Sequence, residues 1–297
     1  MKMGILAINK AKNMTSHDVV AILRKKLGTK KVGHTGTLDP IATGVLPMCI
    51  GRATKLSQYV SDLGKAYIAD LEFGKETSTY DCEGEVINIS DKQIFTKEEI
   101  NKELNKFKGE ISQVPPIYSA IKVDGKKLYE YAREGKKVEI KARKVTIHDI
   151  KLLDLNANRA KIYVDCSKGT YIRSLIHDLG RNLGTYAFMT DLQRIKVGNL
   201  SIEQTIDISD IDKYSKEDLY NLIIKPEEVL DTLPSFDVDD NIRFRLINGQ
   251  RVNVKDIKKS EKIQENTLTL VFNNNNFLGL AMKNDNIFKM EKLIWQE

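Results

Sequence analysis

Apolar positions follow two rhythms along this chain. Ile5, Leu6, Ala7 and Ile8 form an unbroken run of strand length, closed by a polar turn over residues 9–14. Val19, Val20, Ile22, Leu23 and Leu27 then recur at helical spacing. Thr15 with Asp18 forms a capping box in front of them, and Gly28 stops the helix. Ala53, Leu56, Tyr59, Val60 and Leu63 predict a second amphipathic helix ending at Gly64. After it Tyr67, Ala69, Leu71 and Phe73 alternate on one face of a strand. Residues 92–109 read as a polar helical excursion opened by the capping box Thr96/Glu99. Asp124-Gly125 between apolar residues is a hairpin signal, and strand-like runs over 145–155 and 160–166 flank the turn 156–158. Gly169 makes a turn, after which Ile172, Leu175, Ile176 and Leu179 line a helix. Residues 216–230 are helical with a break at Pro226, and 233–235 read as a linker. The tail has strand-like runs at 242–247, 267–272, 277–282 and 293–295, a small all-β pattern.

Composition narrows the class. The 297 residues are 41% hydrophobic and 30% charged, as in globular chains, and no apolar run reaches the ~20 residues of a membrane span. The N-terminal apolar run is too short for a signal peptide and lacks a small-residue cleavage site. Cysteines 49, 82 and 166 show no Cys-x-x-Cys spacing, which argues against a zinc site or disulfide framework and fits a cytoplasmic location. The net charge of +6 is unevenly spread. Residues 1–65 carry eleven Lys/Arg against three Asp/Glu, and 122–151 carry ten against five. Two basic segments in an otherwise acidic chain fit either solvated faces or the footprint of a polyanion such as RNA.

One loop concentrates the candidate chemistry. Within residues 32–51, glycines at 33, 36, 44 and 51 accompany a lone acid, Asp39, fixed in extended geometry by Pro40. A single carboxylate on a stiff, apolar-flanked turn suits a nucleophile or general base. It also suits an acid that caps its own turn.

The order of residues is more specific. His34-Thr35-Gly36-Thr37-Leu38-Asp39-Pro40-x-Ala42-Thr43-Gly44-Val45-Leu46-Pro47, followed by Gly51-Arg52-Ala53-Thr54-Lys55, resembles the signature of the bacterial tRNA pseudouridine synthases of the TruB family. The resemblance implies that Asp39 is catalytic and that His34 fills the stack vacated by a flipped base. Lys65-x-Tyr67 matches the family's base-stacking tyrosine, although by periodicity Tyr67 is simply a core aromatic. Lys168-Gly169-Thr170-Tyr171-Ile172-Arg173 matches a further family motif and implies Arg173 paired to Asp39, with Tyr171 beside them. Leu192, retained from the family strand, is the implied wall of the base pocket, while Gln193 and Ile195 depart from the pattern. Pro115-Pro116-x-Tyr118-Ser119-Ala120-x-Lys122 opens the likeness to an RNA-gripping insertion, about 114–145, in which Lys122 would contact substrate. Lys10, expected to contact substrate, heads a turn at which the family usually has Lys-Pro-x-Gly-Met-Thr-Ser. Ala11 and Asn13 replace the usual proline and glycine there, and Asn tolerates the left-handed turn. The 77–84 loop has Ser78 where the family has Asp.

By the same resemblance the fold is α+β. A mixed, largely antiparallel central sheet with flanking helices fills residues 1–230, and a small barrel-like PUA domain fills 235–297. The expected activity converts the uridine at position 55, in the T-loop of tRNA, to pseudouridine. No cofactor or metal is expected, nor a membrane or obligate protein partner, and the expected state is a monomer. Two rivals stand beside it. A glycosidic hydrolase would ordinarily want a second carboxylate or an activated water, and a non-catalytic RNA-binding protein could use the same basic surface.

Overall fold

The computed structural model describes residues 2–136, 138–258 and 260–295; Lys137, counted above in the second basic segment, lies outside them. A ten-stranded mixed sheet forms the body. Its strands run in the order Ile206–Asp207, Gly4–Lys10, Thr43–Ile50, Ala187–Val197, Lys65–Phe73, Arg159–Cys166, Arg143–Asn156 and Gly109–Gln113. Val32–His34 pairs with Thr43–Ile50, and Leu200–Ser201 with Ala187–Val197. Pairing along the main path is antiparallel except where Gly4–Lys10 meets Ile206–Asp207 and where Thr43–Ile50 meets Ala187–Val197.

The second of those parallel joints explains Gly44. Its φ is +106°, and a Cβ there would lie 2.2 Å from the Arg194 carbonyl oxygen. Only glycine lets the strand that leaves the Asp39 loop close onto its neighbour.

Local signals along the chain carry through. Thr15 and Asp18 form the capping box of helix Ser16–Leu27, and Gly28 caps its end in the left-handed conformation. Asn13 also sits at positive φ, so the looser turn survives as expected. Thr96 and Glu99 cap helix Lys97–Asn105. Asp124 and Gly125 turn the short hairpin Lys122–Val123/Lys126–Lys127. The helix expected over 53–63 instead divides into a 3-10 turn, Gly51–Leu56, and a short α-helix, Ser57–Ser61.

A separate five-stranded sheet lies in the tail, in the order Ser235–Asp237, Leu268–Asn273, Asn276–Asn284, Ile287–Leu293 and Val252–Asn253. Residues 242–247, expected as a strand, are helical within Asp240–Ile247. The Asp239 carboxylate accepts the Ile242 amide at 2.8 Å and starts that helix. Leu270, Phe277 and Leu280 of this sheet, with Ile294 just after its last strand in the chain, share a core with Ile5, Val45, Cys49, Leu56 and Val60. Arg52 and Lys55 fasten the joint, Arg52 Nη1 donating to the Trp295 carbonyl at 2.6 Å and Lys55 Nζ to that of Leu293 at 2.9 Å. These two motif cations therefore hold the C-terminal sheet.

Candidate active site

The Asp39 loop is held from both sides. Leu38, Ile41 and Ala42 are buried in the main core, so the apolar residues around Asp39 anchor it. The Thr35 amide donates to the Pro47 carbonyl at 3.1 Å, and the Leu38 amide to Ser16 Oγ at 3.0 Å. The turn at residues 11–14 is tied in as well, the Asn13 amide donating to the Pro40 carbonyl at 2.8 Å. Ala42 N bonds the Asp39 carbonyl rather than its side chain, so the carboxylate is free to face outward.

It faces Arg173. This arginine begins helix Ile172–Asn182 and is only 6% exposed. Its Nη2 lies 2.9 Å from Asp39 Oδ2 and donates to the Tyr118 carbonyl at 3.0 Å. Its Nη1 lies 3.2 Å from Asp81 Oδ2 and donates to the Thr79 carbonyl at 3.2 Å. The pairing implied by the motif is present, but the guanidinium is shared between two carboxylates instead of gripping one. Asp81 is itself buried and fixed, its Oδ1 accepting Thr79 Oγ1 at 2.5 Å and the Glu83 amide at 3.1 Å.

Burial pushes the Asp39 pKa up, and this outweighs the pull of Arg173 in the opposite direction; the nearby Asp81 charge adds to the rise. The carboxyl retains a face to solvent, with 37% of the side-chain surface reachable. Asp39 is thus a carboxylate paired to a cation yet more basic than a free aspartate.

Asp39, Tyr67, Tyr171, Arg173 and Leu192 line one hollow of about 490 Å³. Tyr118, Ser119 and Tyr129 enter it from the insertion. The volume is within the range of small-ligand sites. Tyr67 and Leu192 are buried on neighbouring central strands, and Tyr67 is in register with Arg194. Burial raises the Tyr67 pKa, which keeps the phenol neutral. Arg194 is fully buried against that phenol; its Nε donates to the Val45 carbonyl at 2.7 Å and its Nη2 to that of Gly36 at 3.3 Å. Tyr171 is oriented through its backbone, its amide donating to Gln113 Oε1 at 2.9 Å and its carbonyl accepting Gln113 Nε2 at 3.0 Å.

Three other residues with expected substrate roles lie elsewhere. Lys10 is fully buried beneath the loop, its amine donating to the carbonyls of Ala11 at 2.9 Å, Met14 at 2.7 Å and Pro40 at 3.3 Å. Burial lowers its pKa to about 8. The turn that Lys10 heads is therefore stapled to the residue after Asp39, and its amine is not presented to a ligand. His34 is half-buried outside the hollow, edge-on to His17 at 5.0 Å, with Nδ1 buried and lacking a partner. Lys122 is exposed on the insertion hairpin, also outside the hollow.

Asp81 and Arg194 had no role in the sequence reading. Asp81 stands in the 77–84 loop whose likeness was noted, and Arg194 in the family-like strand of Leu192, where Asp191 and Lys196 are charged as well, so neither position marks its tertiary partner. Ser78, where the family has an acid, uses its hydroxyl to accept the Glu85 amide at 3.2 Å. A roomier hollow of about 750 Å³ lies in the C-terminal sheet. Its carboxylates are already engaged, Asp237 with the Asn275 amide at 3.2 Å and Asp239 with the Ile242 amide. Asp256, its third acid, meets only the part-exposed Arg245, whereas the smaller hollow sets Asp39 against buried Arg173.

Residues 24–172 match the profile of the TruB family pseudouridylate synthase N-terminal domain, and 173–231 that of the tRNA pseudouridylate synthase B C-terminal domain. The chain is 44% identical to tRNA pseudouridine synthase B of Clostridium tetani over 291 residues, 98% of this chain and 99% of that one. It is 43% identical to that of Fusobacterium nucleatum over 290 residues, 96% and 98% of the two chains. A chain of the crystal structure of a Cbf5-Nop10-Gar1 complex superposes with a TM-score of 0.78 at 26% identity, covering 98% of this chain and 85% of that one. A chain of an H/ACA RNP bound to a substrate RNA containing 2′-deoxyuridine gives 0.76 at 25%, covering 99% and 85%.

Proposed function

The chain belongs to the TruB family of pseudouridylate synthases and isomerises uridine to pseudouridine in tRNA; we propose that it acts on the T-loop uridine, with Asp39 as the reacting carboxylate. The observation that carries this reading is the convergence of Asp39, Arg173, Tyr67 and Leu192 on one hollow.

In the reaction the N1–C1′ bond breaks, the uracil turns, and a C5–C1′ bond forms. The C5 proton leaves and N1 gains one, so atoms balance with no redox step. Asp39 enters either as nucleophile at C1′ or as the base that takes the C2′ proton to give a glycal. Both routes need the ionised carboxylate. The upward push on its pKa strengthens it as a base, and Arg173 keeps it aimed. Tyr67 offers an aromatic face to the uracil and Leu192 an apolar wall, which together exclude the water that would turn rejoining into hydrolysis.

The target nucleotide reaches this hollow only after leaving its stack, at a cost of a few kcal/mol. His34 takes its place in the loop. The exposed cations of the insertion, Lys122 among them, neutralise phosphates of the T-arm, and Tyr129 and Tyr131 give it aromatic surface. Residues 1–230 form the catalytic domain. The C-terminal sheet serves as a PUA-type RNA-binding module, docked through Arg52 and Lys55. The protein works as a cytoplasmic monomer with tRNA as its partner. Among the described residues no helix is long and apolar enough to cross a membrane.

Incubating an unmodified tRNA transcript with the protein alone, then mapping pseudouridine by base-specific labelling, tests the proposal. It expects one modified T-loop uridine, whereas release of free uracil would mean hydrolysis.

A further inference from the structure

Tyr80 adopts φ = +63°, a left-handed conformation that is a true outlier for a bulky side chain. Such strain persists only where the surroundings over-determine it, and it gathers at functional sites. Here it falls between the two residues that hold one arm of Arg173. The Thr79 carbonyl and the Asp81 carboxylate both bind Nη1, each at 3.2 Å. An extended residue at position 80 would send these two groups in different directions.

The Tyr80 ring is held in turn. It stacks on the His177 ring with centroids 4.0 Å apart and planes 22° apart. His177 Nε2 lies 2.8 Å from Glu76 Oε1, and its Nδ1 lies 3.2 Å from Asp178 Oδ1. Glu76 is fixed by Arg181 Nη2 at 2.9 Å to both oxygens and by Asn88 Nδ2 at 2.7 Å. His177 is one turn beyond Arg173 on the same helix, so that helix carries both the guanidinium and the support for its second partner.

We propose that Tyr80 and His177 are positioning residues for the isomerisation: their stack holds the strained 79–81 turn against Arg173 and so fixes the arm that aims Asp39. The proposal rests on the reading of Asp39 as the reacting carboxylate. Neither ring lines the reaction hollow, so both act through Asp81 and Arg173. Burial would lower the His177 pKa, but the carboxylates of Asp178 and Glu76 outweigh it and raise it.

The test is single-turnover and steady-state kinetics on an unmodified tRNA transcript. Tyr80→Ala and His177→Gln are expected to lower kcat roughly ten- to hundredfold, as small misplacements of reacting groups do, with KM for tRNA within about twofold of wild type. Tyr80→Phe keeps the ring and is expected to restore the rate. His177→Gln leaves the strained residue untouched and serves if Tyr80→Ala does not fold. The discriminating readout is the combination with Asp81→Asn. If the rings act through Asp81, adding His177→Gln to Asp81→Asn costs no further kcat. Wild-type kcat in both single variants, or losses that multiply with that of Asp81→Asn, would overturn the proposal. The underlying site reading fails separately, through activity retained by Asp39→Asn.

Discussion

Arg173 holds Asp39 with one arm only: Nη2 stands 2.9 Å from Asp39 Oδ2, while Nη1 serves Asp81. One buried cation thus serves two carboxylates, so its geometry has to satisfy both. Arg173→Lys cannot span both acids with a single ammonium. The expected result is a loss of roughly a hundredfold or more in kcat. Arg173→Ala, which leaves buried Asp81 unpaired, is expected to destabilise the fold by about 3–5 kcal/mol. Transcript turnover and denaturant unfolding measure the two effects.

The pH dependence follows from the upward direction of the Asp39 pKa. With Asp39 as the proposed reacting carboxylate the anion is required, so the acid limb of kcat is expected above the ordinary aspartate value of about 3.9. Asp81→Asn removes a neighbouring negative charge and moves that limb to lower pH. The stability effect has the opposite sense. Between the unfolded and the raised folded pKa the native state binds the extra proton, so the Asp39 contribution declines as pH rises through that window.

Lys10 and Lys122 separate by salt. Lys122→Ala removes one exposed cation, and the slope of log K against log salt for tRNA binding is expected to fall by about 0.7–0.9. Lys10→Met leaves that slope unchanged, because the amine is buried on three carbonyls. It lowers thermal stability and kcat by loosening the loop around Asp39. Filter binding over a salt series and turnover assays check both.

Gly44→Ala puts a Cβ 2.2 Å from the Arg194 carbonyl at a φ of +106°. A loss of about 3 kcal/mol or more is expected from strain and overpacking together. Chemical denaturation reads it directly. Gly125→Ala, also at positive φ but with no atom within 4 Å of its Cβ, is the milder control.

The sequence made the pair at the centre legible because both of its members sit in ordered motifs. Asp39 and Arg173 could be matched residue by residue, and Tyr67, Tyr171 and Leu192 followed onto the same hollow. What stayed hidden depends on tertiary placement. Nothing in residues 77–84 says that their backbone crosses the start of a helix almost a hundred residues on, so Asp81 went without a role. Lys10 was expected to contact substrate, and charge alone does not reveal three carbonyls converging on its amine. Residues 242–247 deceive for another reason: Ile242, Phe244 and Leu246 alternate as in a strand. With Asp239 capping a helix, Ile242 and Leu246 turn inward four residues apart, and Phe244 is left 60% exposed.

The role of Asp39 is tested most directly by Asp39→Asn, assayed for pseudouridine at the T-loop uridine and for tRNA affinity in the same preparation. The account predicts no detectable product with the affinity for tRNA essentially unchanged. Product formed by Asp39→Asn at a rate near that of the wild type would contradict it.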